Sequence, residues 1–364
     1  MNRGTFLKNR KKENLFLTKD IQSKRNKRNK MFFLIFLTAI LLMASTYAWL
    51  SSSLNVKIQF LKLGVASNSG LYISLDGVDF SESVTISMDS IIMDIKENYP
   101  NHTNQWSYAL WPVSSNGIKN TNQDKFSFYT GDLVHTKERN PNGSVKRLLN
   151  TFLRTEDSYH PGNLYVAFDI FLKNATGSPN ADNLYFSKTT QIDYDEDTDE
   201  ELKLEMDGIL NSIRIGLVKI GSVPLLSDIS DIQNVKCNSA CEMLIYEPYS
   251  KSHSEASIET ALNYGVQMLD GIETPTYGII AEGTRLEHTN GHFGTGLPLN
   301  TTYFKLQETV KDFTKPVFKV PNAITKARVY IWIEGQDIDS LETNSKGTDL
   351  IVSIDFEKDM AGYE

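Results

Sequence analysis

The chain has 364 residues, with 37 Lys and Arg against 45 Asp and Glu, and only two cysteines. That length is enough to bury a sizeable core, and two cysteines exclude a small disulfide-stapled scaffold. Charge is unevenly divided: the first thirty residues carry eleven basic residues against Glu13 and Asp20, which leaves 26 basic and 43 acidic residues for the rest.

Residues 31–50, MFFLIFLTAILLMASTYAWL, contain no charge. Twenty helical residues span about 30 Å, the hydrocarbon thickness of a bilayer. Ten of them are Leu, Ile or Phe, and at roughly 0.3 to 0.6 kcal/mol each they favour insertion by about 3 to 6 kcal/mol. The expected organisation is a basic cytoplasmic segment over 1–30, a single transmembrane helix or signal-anchor over 31–50, and an extracytoplasmic domain over 51–364. Basic residues stay on the cytoplasmic side, so the N-terminus is expected inside. Basic blocks also bind nucleic acid, but this one abuts an apolar run. Contact with anionic lipid is the expectation, and no nucleic acid partner is. Two fates remain open for the helix. Thr46 and Ala48 suit the −3 and −1 positions of a signal peptidase, with cleavage between Ala48 and Trp49, which would release the chain to the cell surface or matrix. Tyr47 and Trp49 equally suit the interfacial aromatic belt of a retained anchor.

Downstream, short runs of β-branched and aromatic residues alternate with Asn, Gly, Ser and Asp clusters, which predicts strands. In chain order they are 55–63, 70–75, 84–88, 107–112, 125–129, 164–173, 184–190, 213–220, 243–246, 276–281, 327–334 and 349–356. A dozen strands with few helical periods imply a mainly β, jelly-roll-like β-sandwich with one or two helical insertions. Val329, Ile331 and Ile333 alternate with Tyr330 and Trp332, and Leu350, Val352, Ile354 and Phe356 alternate with Ser353 and Asp355. Each strand should present one face to the core, the other being wet or covered. Helices are predicted over 197–211, with acidic residues in the first turn, and over 255–268. Residues 137–160, around Leu148, Leu149, Phe152 and Leu153, read as a helical insertion, and 335–348 as a polar loop.

Chemistry-bearing patterns are few. Cys237 and Cys241 form a bridge if the three residues between them make a tight turn. Asp193, Asp195, Asp197 and Asp199 have the alternate spacing of a calcium loop, but Thr198 stands where that loop needs Gly and Leu204 where it needs Glu, so weak binding there stays open. His288 and His292 lie four apart without the Glu that a zinc-protease helix places after its first His. His102, His135, His160 and His253 read as solvated loop residues. Trp106, Tyr108, Trp111 and Trp332 suit either a sugar platform or strand packing. Nucleophile-elbow, phosphate-loop and dinucleotide patterns do not occur. No catalytic, cofactor-binding or metal-binding residue is therefore assigned, and the chain is expected not to be an enzyme. The remaining alternatives are a membrane-tethered module that binds carbohydrate or protein, and a metallopeptidase resting on the His288 and His292 pair alone.

Thr46-Tyr47-Ala48-Trp49-Leu50, the strand over 55–63, and Gly64-Val65-Ala66-Ser67-Asn68-Ser69-Gly70-Leu71-Tyr72-Ile73-Ser74 resemble the N-terminal region of the TasA/camelysin proteins of Gram-positive bacteria. The resemblance covers residues 31–75. The run Ala327-Arg328-Val329-Tyr330-Ile331-Trp332-Ile333-Glu334-Gly335-Gln336-Asp337 is similar to a recurrent ending of Firmicute surface proteins with this leader. The resemblance implies a jelly-roll ectodomain, processing near Ala48, and a role as a surface or biofilm-matrix fibre subunit that self-assembles. In such subunits a freed N-terminal strand completes a neighbour's sheet. Here the donor would be the strand carrying Asn55, Val56, Ile58, Phe60 and Leu63. The leader is longer than in that family, the ectodomain larger, and Leu50 replaces the usual Phe.

Overall fold

A computed structural model describes residues 30, 57–65, 70–87, 98–99, 104–105, 110–115, 126, 128–139, 145–154, 164–205, 208–237, 241–249, 253–255, 257, 285–288, 309–310, 313–335, 337, 339–340 and 349–359. The chain divides into two units, Met1–Leu54 and Asn55–Glu364. Among the described residues no helix is long and apolar enough to cross a membrane; the apolar segment 31–50 lies outside them.

The second unit is mainly β. Its first strands are β1 (Lys57–Val65), β2 (Leu71–Ser74), β3 (Ser83–Ser87), β4 (Asn104–Gln105) and β5 (Ser114–Ser115). The long hairpin β6 (Phe128–Arg139) and β7 (Val145–Arg154) follows, then β8 (Tyr165–Asn174), β9 (Asp182–Phe186) and β10 (Gln191–Tyr194). Short helices α1 (Glu200–Glu205) and α2 (Ile209–Ser212) lead into β11 (Ile213–Val223), and α3 (Ile229–Gln233) into β12 (Glu242–Tyr246). The last strands are β13 (Arg285–His288), β14 (Thr309–Val310), β15 (Phe318–Val320), β16 (Ile324–Ile333) and β17 (Asp349–Asp359).

These strands form a six-stranded sheet in the order β15-β9-β17-β1-β3, with β10 also on β17, and a seven-stranded sheet in the order β14-β12-β11-β16-β8-β2, with β4 also on β8. A third sheet runs β13-β7-β6-β5. Leu61, Leu63, Leu350, Val352, Ile354 and Phe356 from the first sheet share one core with Phe168, Ile170, Leu217, Val329 and Ile331 from the second. The alternation predicted for 349–356 is the reason: in β17 every second residue is buried.

β16 differs, because all ten of its residues are buried. Its Val329, Ile331 and Ile333 face the shared core, while Tyr330 and Trp332 join a second cluster with Val218, Ile245 and Phe128. Phe128 lies 5.1 Å from Trp332 edge-on and stacks on Tyr165 at 4.4 Å, centroid to centroid. A strand with both faces covered carries apolar side chains on both, as Val329 to Ile333 do, and aromatic pairs of this kind add about 0.5 to 1.5 kcal/mol each beyond burial.

Two predicted helices are corrected. The insertion expected over 137–160 is part of the β6 and β7 hairpin, in antiparallel register from Phe128 opposite Arg154 to Arg139 opposite Val145. The spacing of Leu148, Leu149, Phe152 and Leu153 suits a helix face and equally the two alternating sets of a strand, and pairing with β6 decides. The helix expected over 197–211 is two short ones, separated where Gly208 adopts φ +104°, a conformation that side-chain-bearing residues rarely adopt. Of the helix expected over 255–268, only Glu255 and Ser257 are described, both helical.

Candidate functional site

Two places in the fold bear on function: the first strand and a buried ionic cluster. β1 pairs in parallel with β17, from Lys57 opposite Asp349 to Val65 opposite Phe356, and antiparallel with β3, from Phe60 opposite Ser87 to Gly64 opposite Ser83. It is therefore an interior strand. Leu61, Leu63 and Val65 point into the shared core while Lys62 is exposed. At Gly64 the Asp355 carboxylate occupies the space a Cβ would take, so a larger residue there would displace that side chain. Of the candidate donor residues, Ile58, Phe60 and Leu63 lie in β1. Asn55 and Val56 fall outside the described residues, as do Ala48 and Trp49.

The ionic cluster gathers around Arg214 of β11, which is fully buried between Ile213 and Ile215. Its Nη1 donates to the carbonyl oxygens of Asn211 at 2.6 Å and Ile213 at 3.0 Å. Its Nη2 pairs with Asp337 and, at 3.2 Å, with Glu247 Oε1. Asp337 Oδ1 accepts from the Asp339 amide at 3.0 Å. Asp339 in turn meets His253 Nδ1 at 2.5 Å, Asn211 Nδ2 at 3.2 Å and the Ser254 amide at 3.0 Å. A Cβ at Gly208 would come within 2.7 Å of Asp339 Oδ1, so the glycine makes room for the carboxylate as well as the turn. Burial pushes the Asp337 carboxyl up to about 7, against the opposing pull of Arg214 and of the Asp339 amide.

Among the described residues, the ligand-type side chains that converge are His253, Asp337 and Asp339, whose donor atoms lie within 4.8 Å of one another. Arg214 already supplies the positive charge to this set, and a divalent ion would be placed against the guanidinium. Arrangement and burial suit a clasp: it ties the start of β11, the segment after β12 and the segment after β16 to one another. The sequence reading missed it. His253 is not solvated, its side chain being 3% exposed, and the loop expected over 335–348 buries Asp337 and Asp339. The available signal was an arginine set between two isoleucines in an apolar strand, which needs an acidic partner from elsewhere.

The remaining candidates are placed as follows. Cys237 and Cys241 are joined in a disulfide, with Cα atoms 5.8 Å apart, at the margin of the second cluster. His288 ends strand β13 opposite Thr151, so a helical ligand spacing does not apply to it; His292 lies outside the described residues. The acidic run leaves β10 through a turn in which the Asp195 carboxylate accepts from the Asp197 amide at 3.2 Å, and then enters α1. Trp332 is a core residue and no part of a sugar platform, whereas Trp111 is 54% exposed; Trp106 and Tyr108 are outside the described residues.

No family model, curated protein or solved structure matches this chain.

Proposed function

We propose that the chain is a non-enzymatic cell-surface or matrix protein, anchored or released at residues 31–50, whose jelly-roll-like sandwich self-assembles by exchange of β1. The observation that carries this reading is the position of β1: among the described residues it is the first strand after the apolar segment, and it lies between β17 and β3 in the interior of a sheet. Withdrawing an interior strand opens two hydrogen-bonding edges at once. The identical strand of another copy fills them with the same pairs, so exchange between copies costs little beyond the ordering of the connecting segment. Membrane attachment follows from the uncharged run and its basic flank.

A membrane-tethered binding module is the second reading, favoured by Trp111, which is 54% exposed while the other aromatic residues of described burial are buried or half-buried. N-terminal sequencing and sizing of the surface material separates the two. A product that begins at Trp49 and runs as SDS-resistant oligomers is expected for the exchanging subunit. An intact N-terminus on a monomer would sink that reading in favour of the tethered module.

A further inference from the structure

Away from β1 and the Arg214 cluster, three polar side chains meet inside the sandwich. Lys358 lies near the end of β17, Asn174 is the last residue of β8 and Asp182 is the first of β9. Asn174 is 0% exposed and Asp182 1%, and the Lys358 side chain is 1% exposed. Lys358 Nζ donates to Asn174 Oδ1 at 2.6 Å and lies 3.3 Å from Asp182 Oδ2. Asn174 Nδ2 donates to that same Asp182 oxygen at 3.0 Å and to the Val320 carbonyl at 3.1 Å. Thr176 Oγ1 sits 3.4 Å from both Asn174 Oδ1 and Asp182 Oδ2. Val320 is itself fully buried, as is Leu184, the residue opposite Lys358 in the sheet. Asn174 also belongs to an Asn-Ala-Thr glycosylation triplet, and its burial removes it as a glycan acceptor in the folded chain.

A plain ion pair between Lys358 and Asp182 needs no amide set against the ammonium. We infer that Lys358 and Asn174 condense into an intramolecular isopeptide bond, with Asp182 as the proton carrier. The geometry places one carboxylate oxygen against both nitrogens that must exchange protons. The Asn174 Cγ is one carbonyl bond, about 1.2 Å, beyond Oδ1, and therefore within about 3.8 Å of Nζ. Held at that distance in a fixed orientation, amine and amide react as one molecule, where the effective concentration of the nucleophile is many orders above any in solution.

The step balances without an oxidant or a second substrate. Asp182 takes one proton from the Lys358 ammonium, which removes both charges in surroundings where isolated charges are costly. The amine lone pair attacks Asn174 Cγ, forming the Nζ–Cγ bond. Asp182 gives that proton to Nδ2 and takes the second proton from Nζ; the Cγ–Nδ2 bond breaks and nitrogen leaves as ammonia, so that Nζ ends as a neutral amide N–H and Asp182 ends protonated. The product joins β17 of the six-stranded sheet to β8 of the seven-stranded sheet, across 184 residues of sequence.

The test is peptide mass analysis of the purified full-length chain after reduction and tryptic digestion. The bond predicts one branched species in which residues 174–188 are joined to residues 347–364, lighter than the two peptides together by about 17 Da, one ammonia. Trypsin would also leave Lys358 uncut. Asp182→Asn, checked for retained β-sheet signal by circular dichroism, should give residues 174–188 and, with Lys358 now cut, residues 347–358 as separate, unbranched peptides with no loss of ammonia. Separate, unmodified peptides from folded wild-type protein would overturn the inference. Undiminished cross-linking in Asp182→Asn would overturn the role given to Asp182.

Discussion

The two sheets that share the core are built differently on their outer faces. In the seven-stranded sheet, β16 is buried on both sides, because Phe128 and its neighbours cover Tyr330 and Trp332. In the six-stranded sheet, β17 alternates between buried and half-buried residues, and beside it Lys62 of β1 is exposed. One sheet is a fixed middle layer; the other has a single buried face and an interior strand, β1, that is the first strand among the described residues. A strand covered on both faces cannot leave without breaking two clusters, whereas β1 leaves by breaking one. Under the proposed function, that difference favours the six-stranded sheet for exchange.

The largest expected effect is on the covered layer. Trp332→Ala removes the ring packed against Phe128 and Phe126 and should cost about 3 to 5 kcal/mol by denaturant unfolding. A cost near that of a surface substitution would mean that the outer face of β16 is not a core. Leu63→Ala, on the single buried face of β1, should cost about 2 to 5 kcal/mol, and the loss should weaken assembled material together with the monomer, since both use the same pocket. If assembly were unaffected, β1 would not be the exchanging strand.

Asp337→Asn should change a slope more than a midpoint. The Asp337 carboxyl is raised from 3.8 to about 7 in the fold, so between those values the folded chain holds a proton that the unfolded chain has released. Its contribution to stability is full below about pH 4 and is lost as pH rises through about 7. The variant should flatten stability against pH in that window, measured by urea unfolding at several pH values; an unchanged slope would remove Asp337 as the titrating group. The smallest effect is expected at the surface pair of half-buried Lys219 and exposed Glu242 on neighbouring strands, 2.9 Å apart. Lys219→Ala should cost no more than about 1 kcal/mol and less in high salt.

Much of this architecture was legible from residue pattern. Alternation marked the buried face of β17 and the core face of β16, while whether the Tyr330 and Trp332 face of β16 was wet or covered was left open and the structure shows it covered. The hairpin over 128–154 was not, because its leucine and phenylalanine spacing satisfies two periods and only pairing chooses between them. Non-local chemistry was equally hidden. Arg214, Glu247, His253, Asp337 and Asp339 are spread over more than a hundred residues, and so are Asn174, Asp182 and Lys358. Where the residues lie close in sequence, as Cys237 and Cys241 do, spacing alone posed the right question.

Strand exchange is tested most directly by cross-linking the β1 and β17 register. Lys62 and Ser353 are paired across the parallel strands, and Cys237 and Cys241 are occupied with one another, so Lys62→Cys with Ser353→Cys introduces one reporter pair. In assembled surface material the pair should oxidise between copies and give a ladder of covalent oligomers on a non-reducing gel. Bridges confined to single chains in that material would contradict the account.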